Sequence, residues 1–377
     1  MARRLVLLVL AVCLTVVLGG LPVGAAGPRV TGTSVETSFP LLLGFSIAAE
    51  SDTEITDIRL HYRVDRRGFA DVTSEAYIRF SPSRSVDVTW EWDMRRTGGL
   101  PPGTSVEYWW TVKDAHGGSV STDPDTVRFD DDRYNWQSLV DGKVTLYWYQ
   151  GGTSFAEDLM DTARGVLEWL AEDTGVHLLE PIELYVYANP ADLRGSMIFP
   201  QEWTGGVAFT RHNRIAIGIS PSNLGWGRRA IAHELTHLVV HQITLNPYGE
   251  LPTWLDEGLA MRSEGPLEHQ FQTFLDQATA SDSLLSVRSL CSPFSALPTE
   301  SYLSYAQSYS LVEYLLTTYG KNRMFQLLET LREGSTYDEA LELVYGFDME
   351  GLESRWRQYL AVPAGTVELM GVGSGTG

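Results

Sequence analysis

Apolar and polar residues alternate through the first third of the chain. From about Gly27 to Asp130, segments such as "LLLGFSIAAE", "ITDIRLHYRVD", "SVDVTWEWDM", "SVEYWWTVKD" and "DTVRFD" place apolar side chains at every second position, with Gly, Pro, Asp and Ser between them. A period of two buries one face of each segment and wets the other, so these segments predict short antiparallel strands and a β-sandwich over residues 27–130. "DDDRYNW", Asp130 to Trp136, breaks the alternation and reads as a solvated junction between domains.

Beyond the junction the spacing changes. "GKVTLYWYQ", "PIELYVYAN" and "NRIAIGIS" predict strands, and "SFAEDLMDTARGVLEWLAEDTG" carries apolar residues at helical intervals. From Pro252 onward the pattern is helical in "TWLDEGLAMRSEG", "LEHQFQTFLDQAT", "SYLSYAQSYSLVEYLLTTYG", "NRMFQLLETLREG", "TYDEALELVYG" and "MEGLESRWRQYLAV". The result is a multidomain chain: a β-sandwich, then an α+β domain over residues 135–362 with a mainly helical C-terminal lobe, then a Gly-rich tail over 363–377. In the first region "LPPGTSVEYWWTVKDAHGG" resembles the late hairpin of fibronectin type III and immunoglobulin-like modules, where a Pro-Gly turn leads into an aromatic strand. Trp90, Trp92, Trp109 and Trp110 are expected in the sandwich core and its cover rather than on a binding face.

Composition narrows the partners. At 377 residues and 44% hydrophobic the chain can bury two cores. "MARR" followed by "LVLLVLAVCLTVVLGGL" and small residues reads as a secretory signal peptide over residues 1–26, and its alternative is an uncleaved anchor. The protein is therefore expected to be secreted or extracytoplasmic. Removing the leader removes Arg3 and Arg4 and no acid, leaving 28 − 2 = 26 basic against 48 acidic residues, a formal charge of −22. Such a surface repels nucleic acid and anionic lipid. No later apolar run approaches the length of a membrane span, and Cys291 is the one cysteine left after the leader, so no intramolecular disulfide forms. Cys291 is expected to be a small buried apolar residue.

The chemistry concentrates in "AIAHELTHLVV". On a helix His233 and His237 lie one turn apart on one face, close enough for both imidazoles to reach one zinc ion. Glu234 is rotated by about 100° from His233, so it stays off the metal but within reach of a water at the site. A third ligand is needed. Six residues after His237 stands Ile243, with no glycine before it, which closes the metzincin route. His241 shares the histidine face but lies a further turn along, about 6 Å, and is expected to pack or to sit behind the ligands. Glu257, in "LPTWLDEGLAMRSEG", is the better candidate.

H-E-x-x-H followed by W-L-x-E-G-x-A resembles the signature of gluzincin metallopeptidases. "HELTHLVVHQITLNPYGELPTWLDEGLA" together with "YAQSYSLVEYLLTTYG" is similar to their peptidase MA-like branch, over roughly Leu146 to Ala361. The resemblance implies a zincin-like fold, Zn²⁺ held by His233, His237 and Glu257, Glu234 as general base, and a peptide or protein substrate. It also implies a Tyr or His that stabilises the oxyanion, for which Tyr305 is the first choice and Tyr309 the second. Two features depart from better-known relatives. The G-x-M-E-N segment by which aminopeptidases hold a free amine is missing between Gly142 and Ile231, where "TGGVAFTRHNRIAIGIS" offers an edge strand for an extended peptide instead, so an endopeptidase is expected. Thermolysin-like enzymes carry an acid four residues after the ligand Glu; here that residue is Met261, leaving Asp256 or Glu264 to orient a histidine.

Two other readings compete with the enzyme. One is a non-catalytic exported binding protein that keeps a zincin fold as scaffold; the intact set His233, Glu234, His237 and Glu257 speaks against it. The other is a surface module with structural zinc, which would usually close the site with four protein ligands, often cysteines.

Overall fold

The computed structural model describes residues 27–201, 204–295 and 297–361, so the leader over 1–26 and the tail over 363–377 lie outside the described residues. The N-terminal region is β-rich: β1 (Arg29–Ser38), β2 (Leu42–Val64), β3 (Ser74–Tyr77), β4 (Ser83–Asp93), β5 (Thr104–Asp114), β6 (Ser119–Ser121) and β7 (Asp125–Phe129). Where the alternation predicts two strands, the structure has the single long β2. Its first half, up to Glu50, pairs antiparallel with β1 and β4; its second half, from Ile55, pairs with β3 and β5, and the register shifts between the halves. The polar stretch Ser51 to Glu54 separates the two apolar runs without ending the extended backbone. Ser51 Oγ donates to Asp114 Oδ2 at 3.0 Å and Ala115 N–H to Glu54 O at 2.8 Å, and these bonds hold it to the end of β5.

Both halves of β2 face one core, in which Phe45, Ile47, Ile58, Leu60, Trp110 and Val112 are fully buried. Trp92 is buried and Trp90 packs against the core, while Trp109 stacks on His61 at 5.3 Å with the Arg63 guanidinium 5.4 Å above its ring. The four tryptophans are thus core and cover.

A second sheet follows, in the order β11-β12-β10-β9-β8, built from β8 (Gln137–Asp141), β9 (Val144–Trp148), β10 (Ile182–Tyr187), β11 (Gly206–Phe209) and β12 (Arg214–Gly218). β10 runs parallel to both neighbours, whereas β8 and β11 are antiparallel edges. The helices are α1 (Thr153–Trp169), α2 (Pro190–Arg194), α3 (Leu224–Thr244), α4 (Thr253–Ser263), α5 (His269–Ala280), α6 (Pro298–Tyr319), α7 (Lys321–Arg332), α8 (Tyr337–Tyr345) and α9 (Met349–Leu360). α1 and α3 join one face of the sheet in a core that continues into the C-terminal helices. None of the described helices is long and apolar enough to cross a membrane.

The other face of the sheet is aromatic, and it corrects the reading of Asp130 to Trp136 as a solvated junction. Asp131 is buried; it accepts from Tyr187 Oη at 2.9 Å and pairs with Arg133 at 2.6 Å. Tyr134 and Trp136 pack over Tyr185 and Tyr187 of β10. An acid run looks hydrated in sequence, but here alternate aromatics cover a strand that is buried on both faces. Two further contacts tie the β-rich region to this sheet: Arg214 Nη2 donates to Gly103 O at 2.9 Å and Arg128 Nη2 to Tyr185 Oη at 2.7 Å.

α4 seats against α6 through Gly258, the residue after Glu257. A Cβ there would lie 2.4 Å from Ser308 O and 2.6 Å from Val312 Cγ2, and the first of these is backbone that cannot rotate away. Gly258→Val should therefore force the helices apart, costing about 1–3 kcal/mol and lowering Tm by about 2–8 °C in scanning calorimetry. An unchanged Tm would contradict this packing.

Candidate metal centre

α3 buries Ile231, Leu235, Leu238 and Val239, and turns His233, His237 and His241 toward a cavity of about 540 Å³. α4 follows after a short connection and brings Asp256 and Glu257 to the same wall, and α6 adds Tyr305. The helices are locked at this point, since Trp254 and Leu255 are fully buried and Ser263 Oγ donates to Ala232 O of α3 at 3.0 Å.

The metal-binding atoms of His233, His237 and Glu257 all lie within 4.8 Å of one another. The two Nε2 atoms are 3.1 Å apart, and Glu257 Oε2 is 3.4 Å from that of His233 and 3.6 Å from that of His237. Behind the rings, His233 Nδ1–H donates to Glu264 Oε1 at 2.8 Å and His237 Nδ1–H to Asp256 Oδ1 at 2.9 Å. Both acids weighed in the sequence thus orient a histidine, one each. A proton on Nδ1 leaves an Nε2 lone pair pointing forward.

Two such lone pairs and a carboxylate oxygen therefore converge on one point. Glu257 Oε2 is buried and has no hydrogen-bond partner there. Groups of this kind repel unless a cation or a proton sits among them, and two imidazoles with one carboxylate suit zinc. The electrostatics show the same demand. Burial alone would depress both histidines, but the Glu257 and Glu264 carboxylates raise His233 to about 9, and Asp256 and Glu257 raise His237 well above its ordinary value. Glu257 is held at about 2, because the two histidines outweigh its burial.

Glu234 belongs to a different part of the wall. It stands against edge strand β11, where a Cβ on Gly206 would lie 2.8 Å from its Oε1. Burial raises its pKa, with the two histidines and a hydrogen bond from Ala208 N–H pulling the other way. Tyr305 lines the cavity, and burial followed by the Glu257 and Glu234 charges keeps its hydroxyl protonated. Tyr309 does not line the cavity; its charged neighbours are Glu313 and Arg262.

His241 is tied to the cluster through Asp256, whose Oδ2 accepts from His241 Nε2 at 3.0 Å. His237, His241 and Asp256 form a second group with metal-ligand spacing, but its atoms are already paired with one another. Cys291 lies away from the cavity, half-buried, with its Sγ 3.4 Å from Met349 Sδ. Sequence reasoning missed the basic groups around the centre. Arg229 donates to Glu264 Oε2 at 2.8 Å, and Arg67 and Arg211 line the cavity. No local signal marks Arg67, which comes from the β-rich region.

A family model for the Peptidase MA superfamily matches residues 162–362, more than half of the 377-residue chain. Among solved structures, an M1 zinc metallopeptidase from Deinococcus radiodurans aligns with 90% of this chain and 96% of its own at 13% identity, with a TM-score of 0.37. An aminopeptidase N family protein from Idiomarina loihiensis aligns with 84% of this chain and 74% of its own at 12% identity and a TM-score of 0.39. A carbohydrate-binding module family 56 β-1,3-glucan binding domain aligns with 26% of this chain and 96% of its own at 15% identity and a TM-score of 0.16. Comparison with curated proteins gives no match.

If Glu264 and Asp256 act by orienting the imidazoles, Glu264→Gln and Asp256→Asn should each weaken zinc binding by about 10–100-fold in chelator competition. His233→Ala should abolish stoichiometric zinc, and Tyr305→Phe should leave it unchanged. Full zinc affinity in His233→Ala would remove this centre.

Proposed function

Because the chain belongs to the Peptidase MA superfamily, we propose that it is an exported zinc-dependent endopeptidase. The observation that carries this reading is the meeting of two forward-facing Nε2 atoms and the unpartnered Glu257 Oε2 beside a separate buried carboxylate, Glu234. A structural zinc site would usually have a fourth protein ligand and no spare acid; here, among the described residues, three ligand candidates meet and the spare acid faces the cavity.

In this reading His233, His237 and Glu257 hold the ion, which when bound supplies a Lewis acid that polarises the peptide carbonyl and acidifies a water. Glu234 takes the water proton as its oxygen adds to the carbonyl carbon, and passes that proton to the amide nitrogen as the C–N bond breaks. Its raised pKa suits both directions of transfer. The Tyr305 hydroxyl, protonated at neutral pH, donates to the oxygen that gains negative charge.

Support for endo cleavage comes from β11. It is an edge strand along the cavity, and apart from the Ala208 N–H that Glu234 accepts, its open edge can pair with an extended peptide. A second depression of about 440 Å³, walled by Trp226, Met261 and Phe271, shares Gly206, Val207, His233 and Glu234 with the first. The groove therefore runs past Glu234 on both sides.

We read the β-rich region, residues 27–130, as a fibronectin III or immunoglobulin-like sandwich. The pairing of β1, β2 and β4 in one set and β3, β2, β5, β6 and β7 in the other supports this, with the long β2 shared between the two sets. Circular dichroism of the isolated segment should show a cooperative, metal-independent β-type transition. A disordered spectrum would count against a separate domain.

The catalytic test is Glu234→Gln, which keeps the side-chain shape and all three proposed ligands. Hydrolysis of peptides blocked at both ends should fall by at least ~100-fold while zinc content holds, since a placed general base contributes about 10²–10⁴-fold. Undiminished hydrolysis would reject Glu234 as the base, and a wild type that cleaves only peptides with a free end would reject the endopeptidase.

A further inference from the structure

Two arginines line the cavity of the metal centre, and their guanidinium groups differ in kind. Arg67, from the connection between β2 and β3, is fully engaged: Nη2 donates to Gln242 O at 2.9 Å, Nη1 to His241 O at 3.4 Å, and Nε lies 3.2 Å from Glu180 Oε2. These bonds cap the C-terminal end of α3 and join the β-rich region to it. Arg211, in the turn between β11 and β12, is exposed, and among the described residues no carboxylate lies within ion-pair distance of it.

The backbone that carries Arg211 is held from two sides. Arg67 N–H donates to Arg211 O at 2.6 Å, so the β-rich region fixes the turn from outside. From inside, Asn213 takes the left-handed conformation that closes the turn, at φ 53°. Its Oδ1 accepts from Gln242 Nε2 at 2.9 Å and its Nδ2 donates to Glu180 Oε2 at 2.7 Å. Gln242 is itself buried and accepts from Leu179 N–H at 2.9 Å and Glu180 N–H at 3.0 Å. The turn is thus clamped to the same helix that carries the histidines. A charge mounted on a rigid turn, unpaired, at the wall of a catalytic cleft is organised for a charged ligand.

Building on the peptidase reading, we propose that Arg211 selects substrates with an acidic side chain on the N-terminal side of the cleaved bond. For the direction we take the peptide to add antiparallel to β11, the slightly more stable of the two pairings. The open edge of β11 faces Glu234, and a peptide added antiparallel to it places its N-terminal portion beside Phe209 and the turn that follows. At ~3.4 Å per residue, and with the length of the Arg side chain, the acid falls about two to four residues before the scissile bond. The carboxylates Glu234, Asp256 and Glu257 belong to the metal centre, so among the described residues the one other acid lining the cavity is Glu250, in the connection between α3 and α4. Glu250 tempers the preference for an acid rather than creating it.

The test uses the zinc-loaded full chain and doubly blocked peptides that differ only by Glu, Gln or Lys at each of those positions. Wild type should favour Glu over Gln by about 10-fold in kcat/KM at one of them, a value between that of an exposed ion pair and of a charge-assisted bond in a cleft. Arg211→Ala should erase the preference and Arg211→Glu should turn it toward Lys, each with zinc content unchanged. Arg323→Glu, on α7, should change neither. Raising salt from about 0.05 to about 0.5 M should shrink the wild-type preference. Equal cleavage of the three peptides, a preference that survives in Arg211→Ala, or an acid preference confined to the C-terminal side of the cut would overturn the role of Arg211 while leaving the peptidase intact. Failure of the wild type to cut any peptide would overturn both.

Discussion

Two imidazole rings, each donating a hydrogen bond from Nδ1–H to a carboxylate behind it, point their Nε2 atoms at one another across 3.1 Å, and the arrangement of the C-terminal half depends on this confrontation. Left to themselves such rings would turn away. They are held because Glu264 and Asp256 grip them from behind, Arg229 and His241 grip those acids, and α4 is pressed to α3 and α6 by Trp254, Ser263 and Gly258. Arg229 and His241 hold the two carboxylates in place, and the carboxylates in turn raise the basicity of the imidazoles in front of them. The outcome is two imidazole nitrogens and a carboxylate oxygen meeting on the wall of a cavity, a donor set that suits a divalent cation.

Glu234 shows how the same helix separates two tasks. One residue from His233 and three from His237, it is turned about 100° from the first and meets β11 instead of the histidine cluster. Burial raises its pKa while Glu257, four-square between the histidines, is lowered to about 2. Two carboxylates in one cavity are thereby driven apart in pKa, which in the proposed reading suits one to hold a cation and the other to carry a proton. β11, by running as an edge strand against Glu234, sets the line along which a substrate backbone would lie.

Much of this was legible in the sequence for a physical reason: the spacing of His233 and His237 is a helical repeat, and the strands and helices around it have strict periods. What a linear pattern could not resolve was set by distant packing. The stretch Ser51 to Glu54 reads as a turn, yet its bonds to the end of β5 keep β2 continuous. Asp130 to Trp136 reads as hydrated, yet Tyr134 and Trp136 cover the outer face of β10 and Asp131 is buried beneath them. Tyr305 and Tyr309 lie on one face of α6 by spacing, and it is the position along the helix that puts Tyr305 at the cavity. Arg67 carries no local mark at all, since its role comes from the way the β-rich region docks on α3.

The central claim is that two imidazoles and one carboxylate form a zinc site with a position left for a small oxygen donor. X-ray absorption at the zinc edge on the full-length protein, loaded with one equivalent of the metal, reads that donor set directly. The account predicts two imidazole nitrogens and oxygen donors, all at about 2.0–2.2 Å, and no sulfur shell. A sulfur shell near ~2.3 Å, or a shell without imidazole scattering, would contradict it.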